Sequence, residues 1–126
     1  MAVLDTSYLI ALSHKVPAAI RMQQRLEEGG DPLMVAAVSW MEFLAGIPDD
    51  RRAAAATLLG KAARLVPFER EAAEVAARIQ HSLLVKGRRR GWNDLQVAAT
   101  ALVSGQPVVT MDRDFSGIPG LEVLKP

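Results

Sequence analysis

Hydrophobic residues fall along this chain in two alternating patterns: short unbroken apolar runs, and longer stretches where they recur every three or four positions. The first pattern reads as buried strands and the second as amphipathic helices. Ala2-Val3-Leu4 is the first run, ended by Asp5-Thr6-Ser7. Tyr8 to Leu12 reads as a short helix. Pro17 suits the first turn of a second helix, which shows Ala19, Met22 and Leu26 on one face and stops at Gly29-Gly30. Leu33-Met34-Val35 is the second strand. Ser39 and Glu42 have the spacing of a capping box, which predicts a helix from Ser39 to Gly46. Asp49-Asp50 can cap the next helix, Arg51 to Ala63, with Ala55, Leu58, Leu59 and Ala62 as its face. Leu65-Val66-Pro67 is a third short strand. A long helix runs from about Glu69 to Val85, with Ala72, Val75, Ala76, Ile79 and Leu83 inward and Glu71, Glu74 and Arg78 outward.

The basic turn Lys86 to Gly91 breaks that helix and leads into the most apolar one, Trp92 to Leu102. There the polar residues Asn93, Gln96 and Thr100 share a stripe. Asp94 instead heads the opposite, apolar stripe of Val97, Ala98 and Ala101. A carboxylate at the head of a buried face needs a partner or a metal. Val108-Val109-Thr110 is a late strand, followed by the acidic turn Met111-Asp112-Arg113-Asp114-Phe115. Leu121 to Leu124 closes the pattern as a short edge strand. Strands alternating with helices predict an α/β fold with a mostly parallel sheet, formed as one domain over residues 1–126.

Composition narrows the chemistry. The 126 residues are enough for a real core, and 50% hydrophobic content argues against disorder. There is no cysteine, so disulfides and thiolate metal sites are excluded. A net charge of +1 means that any nucleic-acid contact must come from a local basic patch. The best apolar run, Val35 to Ile47, is broken by Glu42, so no membrane span is expected. The opening residues show neither a basic head nor a cleavage site, and the expectation is a cytoplasmic protein.

Four carboxylates stand at equivalent places in this pattern. Asp5 ends the first strand, Glu42 follows the second, Asp94 opens a buried helix and Asp112 follows a late strand. In parallel α/β folds those places share one sheet edge, where ligands bind. Carboxylates brought together there repel unless a proton or cation intervenes. The stretch from residue 27 to 50, which holds Glu42, contains no Lys or Arg. An all-oxygen donor set suits Mg²⁺ or Mn²⁺ far better than zinc. Each acid also has a plainer reading: Asp5 as a helix cap, Glu42 as half of the capping box, Asp94 against its helix dipole, Asp112 as a turn former.

Taken together, Leu4-Asp5-Thr6-Ser7, Ser39 to Gly46, Asn93 to Ala101 and Val109 to Phe115 resemble the four motifs of PIN-domain ribonucleases. The resemblance is to the VapC-type toxins of bacterial toxin–antitoxin pairs and covers essentially the whole chain. It implies a three-layer sandwich with a central sheet flanked by helices. It also implies a Mg²⁺- or Mn²⁺-dependent endoribonuclease that cleaves RNA phosphodiesters with a metal-activated water. Such a protein is usually dimeric and is held inactive by a VapB-like antitoxin. The family's catalytic, metal-binding acids carry over to Asp5, Glu42, Asp94 and Asp112. The first motif more often ends in Asn; the hydroxyl of Ser7 can still bond a carboxylate or a water. Thr6, Ser7 and Thr110 are expected to support the acids, with Asp114 as a supporting or solvent residue.

Other features read more plainly. Arg88, Arg89 and Arg90 form a basic run that is either a solvated turn or a contact for RNA or antitoxin. Trp40 and Trp92 read first as core anchors, with Trp92 a candidate for base stacking. His14 and His81 lack any partner pattern. Two rival functions remain open at this point. A Mg²⁺-dependent phospho-acceptor signalling domain would need a mid-chain acceptor Asp and a late lysine, and the only late lysine is Lys125. A catalytically inactive PIN-like binding subunit would not need four acids.

Overall fold

The computed structural model describes residues 1–115 and 117–126, with the side chain of Asp114 outside that description. The expectation attached to Asp114 therefore lies outside the described residues. The α/β pattern is observed, and every strand pairing is parallel. Five strands run in the order β3-β2-β1-β4-β5: β1 (Ala2–Leu4), β2 (Leu33–Ala36), β3 (Arg64–Val66), β4 (Val108–Val109) and β5 (Val123–Leu124). The central strands β1, β2 and β4 are wholly buried, as parallel strands covered on both faces must be. The edge strands β3 and β5 are not.

Strand alternation sorts the core into two layers. Ala2 and Leu4 face α1 (Thr6–Ser13) and α2 (Pro17–Glu28), with Leu59 of α4 (Asp49–Ala62) beside them. Tyr8 fastens α1 to α2, its buried hydroxyl lying 2.9 Å from Gln23 Oε1. Val3 faces the other way, onto Val97, Ala98 and Ala101 of α6 (Trp92–Ser104). Behind α6 lies α5 (Arg70–Val85), packed through Ala72, Ala76, Leu95 and Ala99. Between the layers, α3 (Ala37–Ala45) contacts both α1 and α6. The helix α6 ends on Gly105, whose φ of 65° allows Gln106 N–H to reach Ala101 C=O at 3.0 Å. That closure turns the chain directly into β4.

Three sequence expectations fail here. Ser39 is not a cap: α3 begins at Ala37, and Ser39 lies inside it, fully buried with no partner for its hydroxyl among the described residues. The apolar tail of β2 runs straight into the helix, so chain direction rather than a side-chain cap starts it. Leu58 is 67% exposed, because α4 turns Leu59 inward as its one fully buried residue and leaves Leu58 facing out. Trp92 is 59% exposed and not a core anchor, since it opens α6 outside the layer that buries the next turns.

Candidate active site

The chain crosses over at β1. From there β2 and β3 extend the sheet one way, and β4 and β5 the other. The crevice beyond the carboxyl ends of β1 and β4 is therefore the topological switch point, where parallel α/β folds bind ligands. Asp5 leaves β1 at that point, with its N–H on Val109 C=O at 2.9 Å. Thr110 and Asp112 leave β4 beside it.

Asp5 is the buried acid, 5% exposed. It stands at the N-cap position of α1, but its side chain does not cap the helix. Its Oδ2 instead accepts from Ser7 Oγ at 2.9 Å and from Thr110 Oγ1 at 2.8 Å. Each hydroxyl has a single proton, so the 3.1 Å Ser7–Thr110 contact then carries none. Those hydroxyls in turn accept from the turn after β4: Met111 N–H reaches Ser7 Oγ and Asp112 N–H reaches Thr110 Oγ1, both at 3.0 Å. Two side chains thus tie the Asp5 carboxylate to the backbone that carries Asp112.

Glu42 projects from α3. Its Oε1 accepts from Thr6 Oγ1 at 2.9 Å, and its Oε2 from Asn93 Nδ2 at 3.1 Å. With Ser39 unbonded, these two donors replace the capping-box reading of Glu42 outright. Both donors are neutral, and no ion pair among the described residues involves Glu42. Asp94 sits half-buried in the first turn of α6. Its carboxyl is held above the ordinary range, first by burial, then by the charges of Asp5 and Asp112. Arg90 opposes that shift and Glu42 adds to it. Asp5, Glu42 and Asp112 therefore all lie within electrostatic reach of Asp94, and among the described residues Arg90 is the cation opposing the shift.

The ion pairs among the described residues, Met1–Asp31, Arg52–Asp49 and Arg70–Glu74, do not involve Asp5, Glu42 or Asp94. Carboxylates oriented by neutral donors and crowded against one another suit a hard divalent cation. Among the described residues, no three acidic or histidine side chains are gathered so as to hold an ion by themselves. An all-oxygen donor set suits Mg²⁺ or Mn²⁺, which bind through one or two carboxylates and keep several waters, better than zinc, which favours histidine and cysteine.

Beside Asp94 opens a pocket of about 440 Å³, walled by Arg88, Arg89 and Arg90. Behind this wall is a residue the sequence reading passed over. Gln80, 3% exposed, continues the Ala72–Ala76 row of α5 at four-residue spacing and bonds both backbone polar atoms of Arg90. A lone amide in an otherwise apolar row was the available signal. Thr6, expected beside the acids, bonds Glu42, and so does Asn93, which the sequence offered only as part of a motif and a polar stripe.

A parallel sheet in this order, with acids gathered at its switch point, is a doubly wound α/β domain with an acidic ligand-binding edge. The chain belongs to the PIN-domain family, whose model matches residues 2–121. Within that family it groups with the VapC ribonucleases. It is 30% identical over 130 aligned positions to Ribonuclease VapC of Rickettsia bellii, covering 97% of this chain and 93% of that protein. A shorter match, 40% identical over 55 residues, joins it to Ribonuclease VapC5 of Mycobacterium tuberculosis and spans 44% of this chain and 41% of the relative. Among solved structures, the DNA-bound VapBC of Salmonella typhimurium superposes with a TM-score of 0.84 at 25% identity, over 98% of this chain and 96% of the other. No helix among the described residues is long and apolar enough to cross a membrane.

Proposed function

We propose that the chain is a divalent-metal-dependent endoribonuclease and the toxin half of a VapBC-like toxin–antitoxin pair. The observation that carries this reading is the meeting of Asp5, Glu42, Asp94 and Asp112 at one sheet edge, where Asp94 feels the charge of the other three. The VapBC assembly of the Salmonella neighbour supports an antitoxin as partner. An RNA substrate fits work in the cytoplasm.

Asp5, Glu42, Asp94 and Asp112 would hold Mg²⁺ or Mn²⁺, which when bound offsets charge on the scissile phosphate and makes water a better nucleophile. Thr110 and Ser7 load Oδ2 of Asp5, and no hydrogen bond among the described residues reaches its Oδ1. That oxygen remains available as a ligand. Thr6 and Asn93 fix the rotamer of Glu42 by holding one carboxylate oxygen each. A water attacking phosphorus must lose a proton as the opposite P–O bond breaks. One of these carboxylates would take that proton.

The test is cleavage of a mixed RNA pool by purified wild type, Asp5→Asn and Asp94→Asn, each with Mg²⁺ and with chelator. Loss of activity by about 100-fold or more is expected in both variants and under chelation. Full cleavage by either variant, or cleavage that ignores chelator, overturns the assignment.

A further inference from the structure

The arginine run before α6 is held more firmly than a solvated turn requires. α5 ends at Val85, Gly87 just beyond it has φ of 71°, and Arg88 N–H reaches back to Leu83 C=O at 2.8 Å. Gly87 N–H bonds Leu84 C=O at 3.0 Å, which completes a Schellman closure. Further along, Gln80 Nε2 donates to Arg90 C=O at 2.9 Å, and Arg90 N–H donates to Gln80 Oε1 at 3.1 Å. The run is thus fastened at both ends. A buried amide is tolerated in the apolar row because both its ends are bonded.

Between those anchors, Arg88 and Arg89 stand exposed and form no ion pair among the described residues. Arg89 lies over the exposed Trp92 ring at 5.7 Å. Arg90 is half-buried over the Phe115 ring, also at 5.7 Å. Asp94 lines the same pocket. A ligand there meets both guanidinium groups and a carboxylate of the proposed metal site. A phosphodiester chain matches both: it presents successive phosphates, one for the cation and a neighbour for the arginines. An acidic peptide would match only the arginines and would crowd Asp94.

We propose that Gln80 is a positioning residue whose clamp on Arg90 holds Arg88 and Arg89 as the seat for an RNA phosphate next to the one being cut. This rests on the nuclease reading and deepens it. Gln80 itself lies behind the wall, so it acts through the arginines.

The test uses fluorescence anisotropy of a labelled single-stranded RNA over a range of salt, in an Asp5→Asn background that stops turnover. The Arg88→Gln/Arg89→Gln double variant, exposed and harmless to folding, should lower the salt slope by about 0.7 per lost phosphate contact and weaken binding about tenfold at low salt. Gln80→Met, of similar shape but without the amide, should weaken RNA binding at least threefold in the wild-type loop. It should add nothing in the arginine double variant, because the two act in one pathway. With Asp5 intact, both variants should raise KM for RNA and leave kcat within twofold. An unchanged salt slope in the arginine variant overturns the proposal, even if antitoxin binding is weakened. Equal weakening by Gln80→Met in both backgrounds overturns the role of Gln80, and the arginine variant decides the rest should Gln80→Met fail to fold. Wild-type protein that neither binds nor cuts RNA would instead sink the nuclease reading beneath it.

Discussion

Replacing Asp94 by Asn should make the metal-free protein more stable while it removes activity. Asn keeps the shape of the side chain and an oxygen near the start of α6. It removes a negative charge that burial and the carboxylates of Asp5 and Asp112 disfavour. After allowance for solvent screening, each like-charge neighbour costs on the order of 0.5–1 kcal/mol. Against this, the charge gains about 0.3–1 kcal/mol from the helix dipole. With mid-range values, and allowing for the lost attraction of Arg90, the net gain on substitution is about 0.5–1 kcal/mol. A 126-residue chain with an unfolding entropy of about 2.1 cal/mol/K per residue shifts its Tm by about 4 °C per kcal/mol. Asp94→Asn should therefore melt about 2–4 °C above wild type at neutral pH in EDTA. The sign follows from linkage. The carboxyl of Asp94 is raised in the folded state, so the folded protein binds its proton more readily. That contribution is present below the unfolded carboxyl value and is lost as pH rises through the folded one. At neutral pH the wild type bears the whole penalty, and below about pH 4 the two proteins should converge. Mg²⁺ at a hundredfold excess over its Kd should return about 2.7 kcal/mol to the wild type, or about 10 °C, and less to the variant. Scanning calorimetry in EDTA and in Mg²⁺ reads all of this. A variant that melts below wild type in EDTA at neutral pH, or that gains equally from Mg²⁺, would refute the crowded-acid account.

Two further outcomes test the supports. Thr110→Val removes a fully buried hydroxyl that donates to Asp5 and accepts from Asp112 N–H; it should cost about 1.5–3 kcal/mol, or about 6–12 °C in Tm, with Thr110→Ser recovering most of it. If Thr110→Val melts within about 2 °C of wild type, that hydroxyl does not hold Asp5. Ser39→Ala should leave Tm unchanged or raise it by up to about 4 °C, because it removes an unbonded buried hydroxyl from inside α3. A capping box would predict a loss of about 0.5–2 kcal/mol instead, and a clear drop in Tm would restore it.

What the sequence determined by itself was the order and kind of the elements. Apolar runs of two to four residues and rows at three- and four-residue spacing set strands and helices locally. They also put acids after β1, after β2, at the head of α6 and after β4, because those positions follow directly from where each run stops. Only the tertiary structure decided what each acid touches. Glu42 bonds Thr6 and Asn93, which are 36 and 51 residues away in the chain. Asp5 bonds Thr110, 105 residues away. Such partners depend on β1 lying between β2 and β4, an order that no local periodicity encodes. Burial was decided in the same way. Asp94 looked like the buried acid, but Asp5 is the more deeply enclosed, because it ends a central strand while Asp94 opens a helix at the rim. Ser39 and Gln80 show both sides of one rule. A buried polar side chain is settled by what packs against it: for Ser39 nothing that bonds, and for Gln80 the backbone of a loop ten residues on.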